Sequence, residues 1–98
     1  MADPLALEIE RLLADAPEAF SPLGAGILAA SWLGIARDSR SFARKLELAH
    51  ALVLRECVAL AEEAGLIILD DRQDKSHRLF YHLSPAGLNL FDAKGASS

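Results

Sequence analysis

The sequence has little of several residue types, and each shortage excludes a class of protein. Cys57 is the one cysteine among 98 residues, so an intramolecular disulfide is impossible and a reducing compartment is expected. The longest apolar segment, from Leu23 to Ile35, is too short to span a bilayer and contains glycine. The first residues, Met-Ala-Asp-Pro, lack the charged and apolar regions of a signal peptide, so we expect a cytoplasmic protein without membrane contact.

Patterns that carry catalysis or metal binding are also missing. The sequence has no Cys-x-x-Cys or His-x-x-x-His spacing for a metal ion. Gly24-x-Gly26 lacks the rest of a phosphate-binding loop, and the adjacent Glu62 and Glu63 do not share a helix face. We therefore expect neither enzyme activity nor a metal or cofactor.

A few residues with special chemistry have simple structural interpretations. Cys57 lies on an apolar helical face, which predicts a buried and unreactive thiol. Trp32 lies inside an apolar helix, which predicts a core position. His77 and His82 fall on opposite faces of a predicted strand, so we expect ordinary polar strand residues there.

Hydrophobic and charged residues are unevenly distributed. Hydrophobic residues make up 52% of the chain and mean hydropathy is +0.22, which is high for so small a protein. Some apolar surface should therefore lie at an interface, and a homodimer is the simplest way to cover it. The net charge of −4 counts against a strongly basic nucleic-acid binder. Residues 36–55 are nevertheless basic between acidic flanks, with Arg37, Arg40, Arg44, Lys45 and Arg55 against Asp38 and Glu47.

The N-terminal third predicts two helices. Asp3-Pro4 and Ser21-Pro22 are helix-start signals, and Pro17 ends the first helix. Residues 5–13 form an amphipathic pattern, whereas residues 23–35 are apolar almost all round, which predicts a buried helix. Small residues recur four apart in this second helix, at Gly26, Ala30 and Gly34. This strip favours a close helix contact within the domain slightly over a dimer seam.

The middle of the chain permits two interpretations. Residues 38–64 contain no glycine or proline, Asp38 or Ser39 can cap a helix, and one apolar face continues over the whole stretch. The pattern fits two helices with a tight turn near residues 47–50, and it fits one long helix equally well.

The last third predicts a β-hairpin and a final helix. Gly65 is a helix-ending residue, and residues 66–69 and 78–83 are short apolar or alternating segments around a polar turn. Ser84-Pro85 starts the last helix. The small and polar residues 93–98 predict a disordered tail.

The hairpin and its flanks carry motifs of a known family. Residues 62–67 resemble the end of a recognition helix that enters the first wing strand, and residues 70–75 resemble a charged wing tip. Residues 78–87 resemble the closing strand and a Leu-Thr-x-x-Gly corner, with Ser84 in place of the usual threonine. These segments are similar to the MarR and PadR families of winged-helix transcriptional regulators.

The resemblance extends upstream and covers roughly half of the chain. Residues 41–46 resemble the first helix of the helix-turn-helix in these families, and Glu47-Leu48 stands where they usually have a glycine. The resemblance implies a mainly α fold with a small antiparallel β-hairpin, a winged helix-turn-helix of order α-α-α-α-β-β-α. The domain would occupy residues 1–92, and residues 93–98 would be the tail.

The resemblance also implies a function. Residues 50–64 would be the recognition helix and residues 70–77 the wing of a transcriptional regulator that binds duplex DNA. The regulator would be a homodimer through the helices from Leu5 to Leu13 and from Leu23 to Ile35. The side chains that the resemblance puts against DNA are Arg40, Arg44, Lys45, His50, Arg55, Arg72 and Lys75.

Two alternatives remain open at this point. Early in the implied recognition helix only Arg55, and after it His50, suits base readout, because Ala51 and Leu52 are apolar. With the acidic net charge, this favours a winged-helix protein-interaction module for dimerisation or adaptor function, without sequence-specific DNA binding. If residues 39–64 form one unbroken helix, the chain is instead a small dimeric helical protein with a hairpin appendage.

Overall fold

The computed structural model describes residues 3–15, 20–70 and 78–96, and the side chains among them as far as residue 91. In these residues the elements follow in the order α1 (Pro4–Asp15), α2 (Pro22–Leu33), α3 (Ser39–Lys45), α4 (His50–Glu62), β1 (Ile67–Leu69), β2 (Tyr81–Leu83) and α5 (Pro85–Ala96). The predicted mainly helical fold with one small antiparallel sheet is confirmed. None of the described helices combines the length and apolar character that a membrane span requires.

The predicted helix starts are confirmed for α1 and α2. The Leu5 N–H donates to the Asp3 carboxylate at 3.0 Å, directly before α1. The Gly24 N–H donates to Ser21 Oγ at 2.9 Å and so satisfies one of the unpaired amides at the start of α2. At its other end α2 terminates at Gly34, whose φ of 74° is the left-handed conformation that glycine adopts most easily.

α2 is the central helix, as its apolar sequence predicts. It packs against α1, α4, β2 and α5, and its residues 24–30 are all buried. A Cβ atom on Gly26 would lie 3.2 Å from Phe42 Cζ, so the small-residue strip serves a contact within the domain. Gly34 is the helix cap and not part of this contact. The middle of α2 therefore has no surface for a second copy, in agreement with the favoured interpretation of the strip as a contact within the domain.

Residues 39–64 form two helices, so the hypothesis of one unbroken helix is wrong. α3 ends at Lys45 and α4 begins at His50. In the turn between them, the Leu48 N–H donates to the Ala43 carbonyl at 2.8 Å. Glu47 has a φ of 55°, a left-handed conformation that is unusual for a residue with a side chain.

The sheet consists of a short hairpin extended by a third segment. β1 and β2 pair antiparallel with Ile68 opposite His82. On the other edge of β2, the Tyr81 N–H donates to the Arg37 carbonyl at 3.2 Å, and the Ser39 N–H donates to the Leu79 carbonyl at 2.9 Å. The segment that precedes α3 is thereby joined to the start of β2 (the Asp38–Phe80 bridge), a pairing that the sequence does not reveal.

The corner after β2 explains the Ser-Pro-x-Gly motif. Ser84 Oγ donates to the Gly65 carbonyl at 2.6 Å and accepts from the Gly87 N–H at 3.1 Å. A Cβ on Gly87 would lie 2.2 Å from the Leu66 carbonyl oxygen, so glycine is required for this close approach. α5 continues from this corner to Ala96, into the segment for which the sequence predicts a tail.

Replacement of Gly87 by alanine tests this close approach. We expect Gly87→Ala to lower the free energy of unfolding by about 1–3 kcal/mol, because the new methyl group forces the α5 and β1 backbones apart. The loss should occur although alanine is the better helix former by about 1 kcal/mol. Urea denaturation measures it, with the exposed Asn89→Ala in the same helix as the control. A Gly87→Ala midpoint equal to that of the control would contradict the interpretation.

Candidate nucleic-acid interface

α4 has a buried side and an exposed side. Val53, Cys57 and Leu60 are buried against the core. The opposite side, here called the outer face of α4, consists of Ala51, Leu52, Arg55, Val58 and Glu62, all of which are exposed. Leu52 is 50% exposed and Val58 is 39% exposed, so the face is largely apolar and arginine is its only cation. The core fixes this helix from one side and leaves the other side open to a partner.

Three predicted cations lie on or beside the outer face. Arg44 and Lys45 are exposed in the last turn of α3, and Arg55 is exposed on α4. No ion pair involves any of these three in the part of the chain that the structure describes. Arg44 and Lys45 lie at the C-terminal end of α3, where a positive charge interacts favourably with the helix dipole. These two side chains therefore stabilise the helix as well. Arg40, on the first turns of α3, is half-buried.

His50 lies at the start of α4 and takes part in a hydrogen-bonded link. Its Nε2 lies 2.9 Å from Ser39 Oγ, and the Leu79 N–H donates to the same oxygen at 2.9 Å. Because Ser39 Oγ accepts from Leu79, its O–H can donate to His50 Nε2. The buried Ser39 thus joins the start of α3, the start of α4 and the segment before β2. His50 is held in this structural contact, which the sequence analysis did not anticipate.

Asp38 makes a second link at the same place. Its carboxylate accepts from the Ser41 N–H and from the Ser41 hydroxyl, each at 2.8 Å, which confirms the predicted cap of α3. The Arg78 guanidinium lies 3.5 Å from the same carboxylate, and it stacks over the Phe80 ring at 5.8 Å. Arg78 was missed in the sequence because its partner is forty residues away in the chain. These contacts connect α3 to the chain that returns from the predicted wing.

The predicted wing cations lie outside the described residues. Arg72 and Lys75 fall within residues 71–77, as does His77. The described base of the hairpin carries Asp70 and His82, whose Oδ1 and Nδ1 are 3.4 Å apart. The His82 side chain is exposed on its strand, as the alternating pattern predicts.

Three other side chains, those of Cys57, Tyr81 and Trp32, differ in how deeply they are buried. Cys57 is fully buried, as predicted, and burial, assisted by the charge of Glu56, raises the pKa of its thiol to about 12. Burial likewise raises the pKa of Tyr81 far above its usual range. Trp32 was expected in the core, but it is 39% exposed because α2 emerges from the core near its end, where the indole stacks on Phe91.

Comparison with protein-family models, with curated proteins and with solved structures gives no match to the chain. The function must therefore be inferred from the arrangement of the residues. The outer face of α4 carries exposed apolar side chains together with Arg55, and the exposed cations Arg44 and Lys45 precede this helix in the chain.

The strained turn beside this surface gives a test of its own. We expect Glu47→Gly to raise the free energy of unfolding by roughly 0.5–1 kcal/mol, because glycine relieves the left-handed backbone strain but also makes the unfolded chain more flexible. Glu47→Gln is the matched control, since it removes the charge and keeps the strain. Thermal unfolding of both variants checks the prediction. Equal stabilisation by the two substitutions would show that charge, and not backbone strain, is what matters at this position.

Proposed function

We propose that the chain is a winged-helix protein that binds duplex DNA, with α3, residues 46–49 and α4 as its helix-turn-helix. The order of four helices, two paired strands and a last helix supports this proposal, because it is the order that the resemblance implies. In such a domain α4 is the recognition helix.

The observation that carries the proposal is the exposure of Arg55 on α4 and of Arg44 and Lys45 at the end of α3. An α-helix with its side chains is roughly 10–12 Å across and fits the major groove, which is about 12 Å wide. With α4 in the groove, Arg44 and Lys45 at the end of α3 are near the sugar–phosphate backbone, and Arg55 faces the base edges. Phosphate contacts supply most of the affinity and little of the specificity.

The same outer face favours a second candidate function. Leu48 in the turn is exposed next to Leu52, and with Val58 they form an apolar surface that a partner protein can bury. Under this alternative the domain is an interaction module that does not read DNA. Salt-dependent DNA binding distinguishes the two functions, since an apolar protein contact depends little on ionic strength.

A homodimeric regulator remains part of the proposal, but its interface has to avoid the buried middle of α2. Exposed apolar side chains remain available at Trp32, Leu33 and Leu88 near the contact of α2 with α5. Helix-turn-helix proteins commonly bind DNA as dimers with matched half-sites, so a second copy would double the contacts described above.

Fluorescence anisotropy with a random-sequence duplex tests the proposed function. We expect binding at about 50 mM salt, and the logarithm of the binding constant should fall with the logarithm of salt concentration with a slope of about −2 for the two phosphate contacts of Arg44 and Lys45. Arg44→Ala and Lys45→Ala should each reduce the size of this slope by about 1.

Arg11→Ala is the matched control for these substitutions. Arg11 lies on α1 and pairs with Glu8, so its loss removes the same charge from a surface that does not meet DNA. The control should bind as tightly as the unmodified protein and with the same slope. No binding at low salt, or equal weakening by Arg11→Ala and Arg44→Ala, would contradict the proposed interface.

A further inference from the structure

We infer that the outer face of α4 reads thymine methyl groups, with Arg55 contacting a guanine between or beside them. The inference rests on the proposed DNA-binding function and specifies the DNA that this site would prefer. The observation behind it is which side chains are exposed at the start of α4. On this inference, the apolar side chains of the helix determine which DNA sequence is bound.

The exposed residues at the start of α4 leave few modes of base recognition. The N-terminal part of a recognition helix meets the base edges, and here it exposes Ala51 and Leu52. Neither side chain has a polar atom that can bond a base edge. The one apolar group that bases present in the major groove is the C5 methyl of thymine. A thymine methyl that is buried against Leu52 should therefore strengthen binding, by about three- to fourfold for one buried methyl group.

Arg55 supplies the one strong hydrogen-bond donor on this face. Arginine bonds the O6 and N7 atoms of guanine in a bidentate manner. Ala51, Arg55 and Val58 follow each other at helical spacing, so the guanidinium lies between two apolar contact points. One helical turn advances about 5.4 Å and one base pair about 3.4 Å, so thymines are expected within roughly two base pairs of the guanine.

Charge on the surrounding surface favours DNA over a protein as the occupant of this face. Arg55 lies on the outer face, and Arg44 and Lys45 are exposed at the end of α3, the helix that precedes α4. None of these three cations forms an ion pair within the described ranges, although the net charge of the chain is −4. Among the described acidic groups of α4, Glu56 accepts a hydrogen bond from the Ser21 hydroxyl of the neighbouring α2 cap, and Glu62 lies at the far end of the helix.

Glu47 is exposed in the turn between α3 and α4, close to Lys45 in the sequence. Its carboxylate would repel a phosphate, and the exposed Arg44 and Lys45 outnumber it in this part of the chain. The exposed cations therefore suit the negatively charged backbone of DNA, and the exposed apolar side chains suit the thymine methyl groups in its major groove.

Two duplex pools of random sequence test the inference, one made with thymine and the other with deoxyuridine in its place. Uracil pairs as thymine does and lacks only the C5 methyl group. The unmodified protein should bind the thymine pool at least about threefold more tightly than the uracil pool in fluorescence anisotropy at low salt. Leu52→Ser should bring this ratio close to one.

Leu7→Ser is the matched control, because Leu7 is a leucine of similar exposure, 51%, on the distant helix α1. Its thymine-to-uracil ratio should equal that of the unmodified protein. Equal binding of the unmodified protein to both pools would overturn the inference and leave the proposed DNA binding intact. An unchanged thymine-to-uracil binding ratio in Leu52→Ser would have the same meaning. Absence of binding to either pool would instead overturn the proposed function and favour a protein partner.

Discussion

The buried hydroxyl of Ser39 is the contact on which the arrangement of the interface depends. It accepts from the Leu79 N–H and lies within hydrogen-bond distance of His50, so one oxygen fixes the starts of two helices and the chain before β2. A buried polar group without partners would cost free energy, whereas here both neighbours satisfy it. The directions of α3 and α4 relative to the hairpin follow from this contact and from the adjacent Asp38 cap.

The structure divides α4 into a side that determines the fold and a side that is free to bind. The buried side packs against α2, α3 and β1. The exposed side has no role in this packing, so its residues are open to selection for a partner. This division explains why an acidic chain can still present a basic and apolar contact surface: local charge at the site, and not net charge, determines what a small surface attracts.

Local signals in the sequence predicted the elements, and contacts between distant residues could not be predicted. The starts at Asp3-Pro4, Ser21-Pro22 and Ser84-Pro85 are short-range patterns and were recognised. The break before α4 left no glycine or proline signal, because Glu47 takes the left-handed conformation itself. The apolar pattern runs through the break because Phe42 and Val53 on either side of it enter the same core.

The candidate site was predicted in part for the same reason. The charge pattern predicted three cations that the structure shows to be exposed: Arg44 and Lys45 at the end of α3, and Arg55 on α4. The contact of His50 with Ser39 could not be predicted, because it depends on how two helices pack against each other. Periodicity identified α2 as buried but could not tell that Trp32 emerges at its end.

An NMR titration of the labelled protein with a short duplex tests whether α3 and α4 together contact DNA. We expect the amide shift changes to concentrate between Arg44 and Val58, with α1 unchanged. Shift changes concentrated on α1 or α5, or none at all when DNA is in excess, would contradict this expectation.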